Sequence, residues 1–148
     1  MALISEQMGH AALVGGGETA LHSHLGGGGG LVYYYAESPG EDGTSATSWQ
    51  EKVSYVVVEA GDYLVQWTFE TRGSSTSYHT RSQVVHNSTE LANVQWEPED
   101  NIPDQWVGGA GFRKLTLDPG DTIAINWCSE NSGGTATIRY AALFLLKL

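Results

Sequence analysis

The chain has 148 residues, 17 acidic against 7 basic side chains and a formal net charge of −10. That length holds one domain with a sizeable core, and the acidity argues against nucleic acid as a direct ligand, which calls for a basic face. The lone cysteine, Cys128, excludes an internal disulfide framework and any CxxC metal or redox motif, and no apolar run is long enough to span a membrane.

Residues 1–30 differ from the rest. They hold nine of the 19 glycines, in Gly15-Gly16-Gly17, the run Gly26 to Gly30, and Gly9. The opening MALISEQMGHAALVGGG lacks a basic region followed by a continuous apolar core, so no signal peptide is expected and synthesis is placed in a cytoplasm. Glycine-rich sequence buries too little to offset its ordering entropy and behaves as a linker. The segment therefore reads as a docking arm, with Met1, Leu3, Ile4, Met8, Leu13 and Val14 as its apolar contacts.

From Leu31 the pattern changes to alternating strands broken by polar turns. Strands are expected near 31–36, 52–58, 62–71, 78–86, 91–96, 111–117, 121–129 and 135–147. Tyr63, Val65, Trp67 and Phe69 share one face of the third, and Ile123, Ile125 and Trp127 one face of the seventh. Both strands follow a Gly-Asp turn, Gly61-Asp62 and Gly120-Asp121, and so read as equivalent members of a sandwich. Eight short strands without helical periodicity fit an antiparallel all-β jelly-roll sandwich occupying residues 31–148.

The last strand, TATIRYAALFLLKL, is the informative one. Alternation holds through Arg139 and then fails, because Ala141 to Leu146 is apolar in both registers. A half-covered strand shows polar residues outward, so this one expects cover on both faces. Uninterrupted alternation assigns Ala136, Ile138, Tyr140, Ala142, Phe144 and Leu146 to the sandwich core. It leaves Ala141, Leu143 and Leu145 for a neighbouring copy, as a trimer interface.

Few residues suggest chemistry. His22 and His24 form a His-x-His pair, which is either a solvated stretch of linker or, in a parallel trimer, a set of six imidazole nitrogens able to hold a transition metal. No other cofactor is indicated. Gly15-Gly16-Gly17-Glu18-Thr19-Ala20 has the spacing of a dinucleotide loop but no helix to follow it. The acidic stretch Glu97 to Asp104 lacks the ligand spacing of a calcium loop. Glu51, Glu59 and Glu70 form no acid/base pair, His79 and His86 face opposite ways by parity, and Cys128 lies on a strand as a small packed residue. No nucleophile motif is present, so an enzyme is not expected. The sequon Asn87-Ser88-Thr89, without a secretory route, reads as coincidence. Among the aromatics, Tyr34, Trp96 and Trp106 are candidates for stacking on glycans; the alternative is that they line core edges or subunit contacts.

Two stretches carry a resemblance. Ala60-Gly61-Asp62-Tyr63-Leu64-Val65 and Gly111 to Ile123 resemble strands of trimeric jelly rolls of the tumour-necrosis-factor/C1q type, a likeness running over roughly residues 50–148. Thr19-Ala20-Leu21-His22-Ser23-His24 with its following glycines is similar to N-terminal linkers of tailed-bacteriophage virion proteins. Together these resemblances imply a homotrimeric virion structural protein, a capsid decoration (cement) protein that stabilises the assembled head. Its arm would contact the major capsid protein or other virion proteins, with neither membrane nor nucleic acid as direct partner. The alternative they imply is the receptor- or carbohydrate-binding head of a tail fibre.

Overall fold

The computed structural model describes residues 31–75, 77–96 and 105–148. The arm residues Met1, Leu3, Ile4, Met8, Leu13 and Val14, the pair His22 and His24, and the acidic stretch 97–104 lie outside the described residues.

The described residues form nine strands: β1 (Tyr33–Ser38), β2 (Asp42–Thr44), β3 (Gln50–Val56), β4 (Gly61–Gly73), β5 (Thr80–His86), β6 (Thr89–Trp96), β7 (Val107–Leu117), β8 (Thr122–Ser129) and β9 (Ala136–Lys147). They make two antiparallel sheets. Sheet I has the order β1-β9-β4-β7, with β2 also paired to β9; sheet II has the order β3-β8-β5-β6. This is the jelly-roll sandwich expected from the strand pattern, with one strand more than the eight anticipated. The extra strand, β2, pairs only Asp42, Gly43 and Thr44 with Ile138, Thr137 and Ala136, and Asp-Gly-Thr has the composition of a turn.

The Gly-Asp turns occupy equivalent places. β4 lies between β9 and β7, and β8 between β3 and β5. Gly120 has φ +93°, a backbone that only glycine adopts without strain, and its amide donates to Val57 O at 2.8 Å. Asp121 then locks its own turn to the one between β5 and β6. Its carboxylate accepts from Asn87 Nδ2 at 2.6 Å and from the Asp118 amide at 2.9 Å, while His86 Nε2 lies 3.1 Å away. These donors, the Asp118 amide foremost, hold the Asp121 carboxyl down at about 2.

The core between the sheets contains Tyr63, Val65, Phe69, Leu117, Ile123, Ile125, Ile138, Leu143 and Leu145, none more than 2% exposed. Trp127 is buried with them, and Trp67 packs against their margin. β7 begins four residues earlier than alternation predicts, through Val107-Gly108-Gly109-Ala110. Gly109 and Gly111 belong to the strand because aromatic rings of β4 lie close against them. A Cβ on Gly109 would sit 2.3 Å from Phe69 Cζ, and one on Gly111 2.6 Å from Trp67 Cζ2. Glycine here is a packing requirement rather than a turn signal.

One expectation is overturned in β9. Thr68 pairs with Ala142 but Glu70 pairs with Arg139, so β9 carries an extra residue opposite Phe69, a β-bulge. Tyr140 absorbs it with φ +50°, in the left-handed region, and stands 54% exposed. The bulge reverses the faces. Ala141, Leu143 and Leu145 are wholly buried in the sandwich, as are Ala136 and Ile138 ahead of the bulge, so they cannot be an inter-subunit surface. The outward residues are Ala142, Phe144 and Leu146, all partly exposed.

Candidate docking face

The outward face of sheet I is assembled by the register of its strands. One transverse row runs Tyr33–Leu146–Leu64–Lys114, the next Tyr35–Phe144–Gln66–Phe112, and the third Glu37–Ala142–Thr68–Ala110. Aromatic and aliphatic side chains thus recur on four adjacent strands, with Gln66 and Thr68 of β4 between them. Tyr33 stacks on Phe144 with ring centroids 5.3 Å apart, and Phe112 on the edge strand is 70% exposed. Where the rows carry small side chains, the surface dips. Tyr35, Phe144 and Phe112 rim an open cleft of about 610 Å3 whose floor is Ala142, Thr68, Ala110 and Gly111, with Gln66 beside it.

The margins of the face are charged and internally paired. Lys114 Nζ lies 2.8 Å from Asp62 Oδ2, and that partner, with Thr116 next, holds the Asp62 carboxyl below the usual carboxylate range. Tyr35 donates its hydroxyl to Glu37 Oε2; burial, then this bond, pushes the phenol up to about 12. At the bulged end, Arg139 Nε donates to Glu70 at 2.8 Å and Nη1 lies 3.3 Å from Glu41, which Arg72 meets at 3.2 Å. Glu70 above all keeps the Arg139 guanidinium charged to a higher pH than usual.

The residues singled out for glycans fall apart in space. Tyr34 is 4% exposed and packs between Tyr55 and Tyr63 in the core, at 5.4 and 6.1 Å. That is a correction: of the three consecutive tyrosines, only Tyr33 and Tyr35 face outward, as strand parity requires. Trp96 pairs with Thr80 on the inward side of sheet II, and its indole nitrogen is buried. Trp106 is partly exposed, but two guanidinium groups lie over its ring, Arg139 at 3.8 Å and Arg72 at 4.6 Å. Sequence reasoning missed Phe112, Phe144, Leu146 and Tyr35, the residues that make the face. Their signal is cross-strand, visible only once β1, β9, β4 and β7 are known to be neighbours.

The other titratable groups serve the fold. His79 Nδ1 lies 2.7 Å from Glu130 and Arg81 3.2 Å from the same carboxylate, while His86 meets Asp121 at the far end of β5. Burial pushes the Cys128 thiol up, away from thiolate character. Among the described residues, no three His, Cys, Asp or Glu side chains gather as a metal site, and no helix is long and apolar enough to cross a membrane.

No known family and no curated protein matches the chain by sequence. Its fold does have counterparts. It superposes on Eiger TNF from S. frugiperda with a TM-score of 0.58 over 80% of this chain and 92% of that one, at 12% identity. It also overlays dimeric latent PorU from Porphyromonas gingivalis with a TM-score of 0.50, over 72% of this chain but only 10% of that much longer one, at 8% identity. A pentameric capsid protein isolated from metagenomic phage sequences overlays at a TM-score of 0.34 and 20% identity, too loosely to bear on the fold. The chain therefore has a TNF-like jelly-roll fold. At these identities the likeness speaks for fold alone.

Proposed function

We propose that the protein is a structural component of a bacteriophage particle that associates with copies of itself, as a homotrimer, through the outward face of sheet I. The observation that carries the self-association is the row Tyr35–Phe144–Gln66–Phe112 with its neighbours Tyr33, Leu146 and Leu64. This is a largely aromatic and aliphatic surface, with Gln66 within it, that the described residues leave uncovered. Such a patch on a protein of this size marks a docking surface. The trimeric reading of β9 is kept, but its surface moves to the face opposite Ala141, Leu143 and Leu145.

The particle role rests on the arm, whose His-x-His and glycine stretches resemble virion linkers. The chain has no shaft region between arm and sandwich, which favours a capsid decoration protein over a tail fibre. In that role the trimer bridges neighbouring capsomers and adds buried area across joints that internal pressure opens, and residues 1–30 reach the shell. The glycan-binding alternative draws no support from Tyr34, Trp96 or Trp106 as they are placed.

Light scattering on the purified protein tests the assembly: a mass of three chains is expected, and a stable monomer overturns it. Deletion of residues 1–24 tests the particle role. The truncated trimer is expected to stay folded and to lose binding to particles, and undiminished binding counts against the arm as the docking element.

A further inference from the structure

The cleft on the outward face of sheet I lies beside the point where the chain enters that sheet. Leu31 is 72% exposed, and Tyr33, which opens β1, stands on the same face as Tyr35 at the cleft's rim. Residues 1–30 precede that point, and Met1, Leu3, Ile4 and Met8 lie in their apolar opening. Face and arm are thus two apolar surfaces of one chain, joined by the glycine-rich residues 15–32.

Their separation is short against the length that joins them. The cleft crosses from β1 to β7, three strand spacings or about 14 Å. The 18 joining residues, at their glycine-rich composition, span about 20–25 Å root-mean-square. A tether of that length puts the arm at the cleft at an effective concentration on the order of millimolar, which populates even a weak contact. The lining suits it. The rings of Tyr35, Phe144 and Phe112 are good partners for methionine thioethers, and the small Ala142 and Ala110 leave room for aliphatic side chains.

We propose that residues 1–14 of each unassembled chain occupy this cleft, and that a neighbouring copy displaces them when the trimer forms. This rests on the self-association proposed above and adds its regulation. The cleft is only part of the face. A copy also covers Tyr33, Leu64 and Leu146, so it outcompetes the arm as concentration rises. Displacement frees residues 1–14 for the shell, and the arm then engages particles from trimers rather than from single chains.

A glutamate-specific protease reads the arm directly, because Glu6 lies among its apolar residues and Glu18 in the joining stretch. The ratio of cleavage at Glu6 to cleavage at Glu18 is measured on the full chain by mass spectrometry, while light scattering follows assembly. Glu6 is expected to be protected in the dilute chain, and the ratio to rise about tenfold as the trimer forms. A ratio that falls on assembly places the arm on a neighbouring copy and overturns the proposal, as does an unchanged one. Phe144→Asp removes a wall of the cleft, so its ratio is expected to be high at every concentration. A low ratio in that variant overturns the cleft as the docking place. A chain that is monomeric at every concentration overturns the self-association; the docked arm then stands if Phe144→Asp raises the ratio and falls if it does not.

Discussion

The two outward faces of the sandwich have the same strand geometry and opposite chemistry. Sheet II presents the row Glu51–Asn126–Gln83–Asn93, followed by Arg81 and Gln95, with the small Ala124 and Cys128 sunk among longer polar neighbours. Sheet I presents Tyr33, Tyr35, Leu64, Phe112, Phe144 and Leu146. An antiparallel sheet with one solvated face alternates apolar and polar along every strand. Sheet II largely obeys this: apart from Val56, 54% exposed at the end of β3, its exposed outward side chains are polar. Sheet I breaks it on β1 and β9, and Leu64 of β4 and Phe112 of β7 extend the patch to either neighbour, which a fold requirement does not explain, since the core is complete without those side chains. The difference separates the residues that make the domain from those that make it associate.

Adjacent residues of β9 break the comparison most sharply. Leu143→Ala hollows the core and is expected to cost about 2–5 kcal/mol of unfolding free energy in urea titration. Phe144→Asp, one position away, is expected to leave a folded domain and abolish association by light scattering. If Phe144→Asp unfolds the chain and Leu143→Ala does not, the assignment of faces is wrong. Next in size is Gly109→Ala, which drives a methyl into the Phe69 ring and is expected to cost about 1–3 kcal/mol, read as a lowered melting temperature. Substitutions on the solvated face, such as Gln83→Glu, are expected to stay within about 0.5 kcal/mol and to leave the particle mass unchanged.

The Asp121 lock predicts a pH signature. Its carboxyl titrates at about 2, below the ordinary value of 3.8. A depressed carboxyl stabilises the fold fully above its unfolded value and loses that contribution as pH falls through the folded one. The unaltered chain should therefore exceed Asp121→Asn in urea midpoint at about pH 6, and the gap should close as the pH approaches about 2. A gap that persists unchanged at low pH removes the ionised carboxylate as the cause.

The jelly roll was legible because turn residues and alternation agree along most of the chain, as in β4, where Tyr63, Val65 and Phe69 face inward as expected. The bulge was not. A stretch apolar in both registers, Ala141 to Leu146, gives no polar marker to show which set faces out, so one inserted residue goes unseen. The early part of β7 was hidden for a different reason: Gly108-Gly109-Ala110-Gly111 looks like a turn until the rings of Phe69 and Trp67 are found lying on it. Tyr34 misleads because three consecutive tyrosines carry no periodicity of their own. The docking face was half legible: the need for outside cover was readable from β9, whereas its membership depended on cross-strand neighbours.

β9 is paired along one side with β1 and β2 and along the other with β4. All three partners precede it in the chain, so sheet I closes only through pairings between segments far apart in sequence. Loops of that length must be closed before the contacts that reward them form, and the domain is therefore expected to fold slowly for its size.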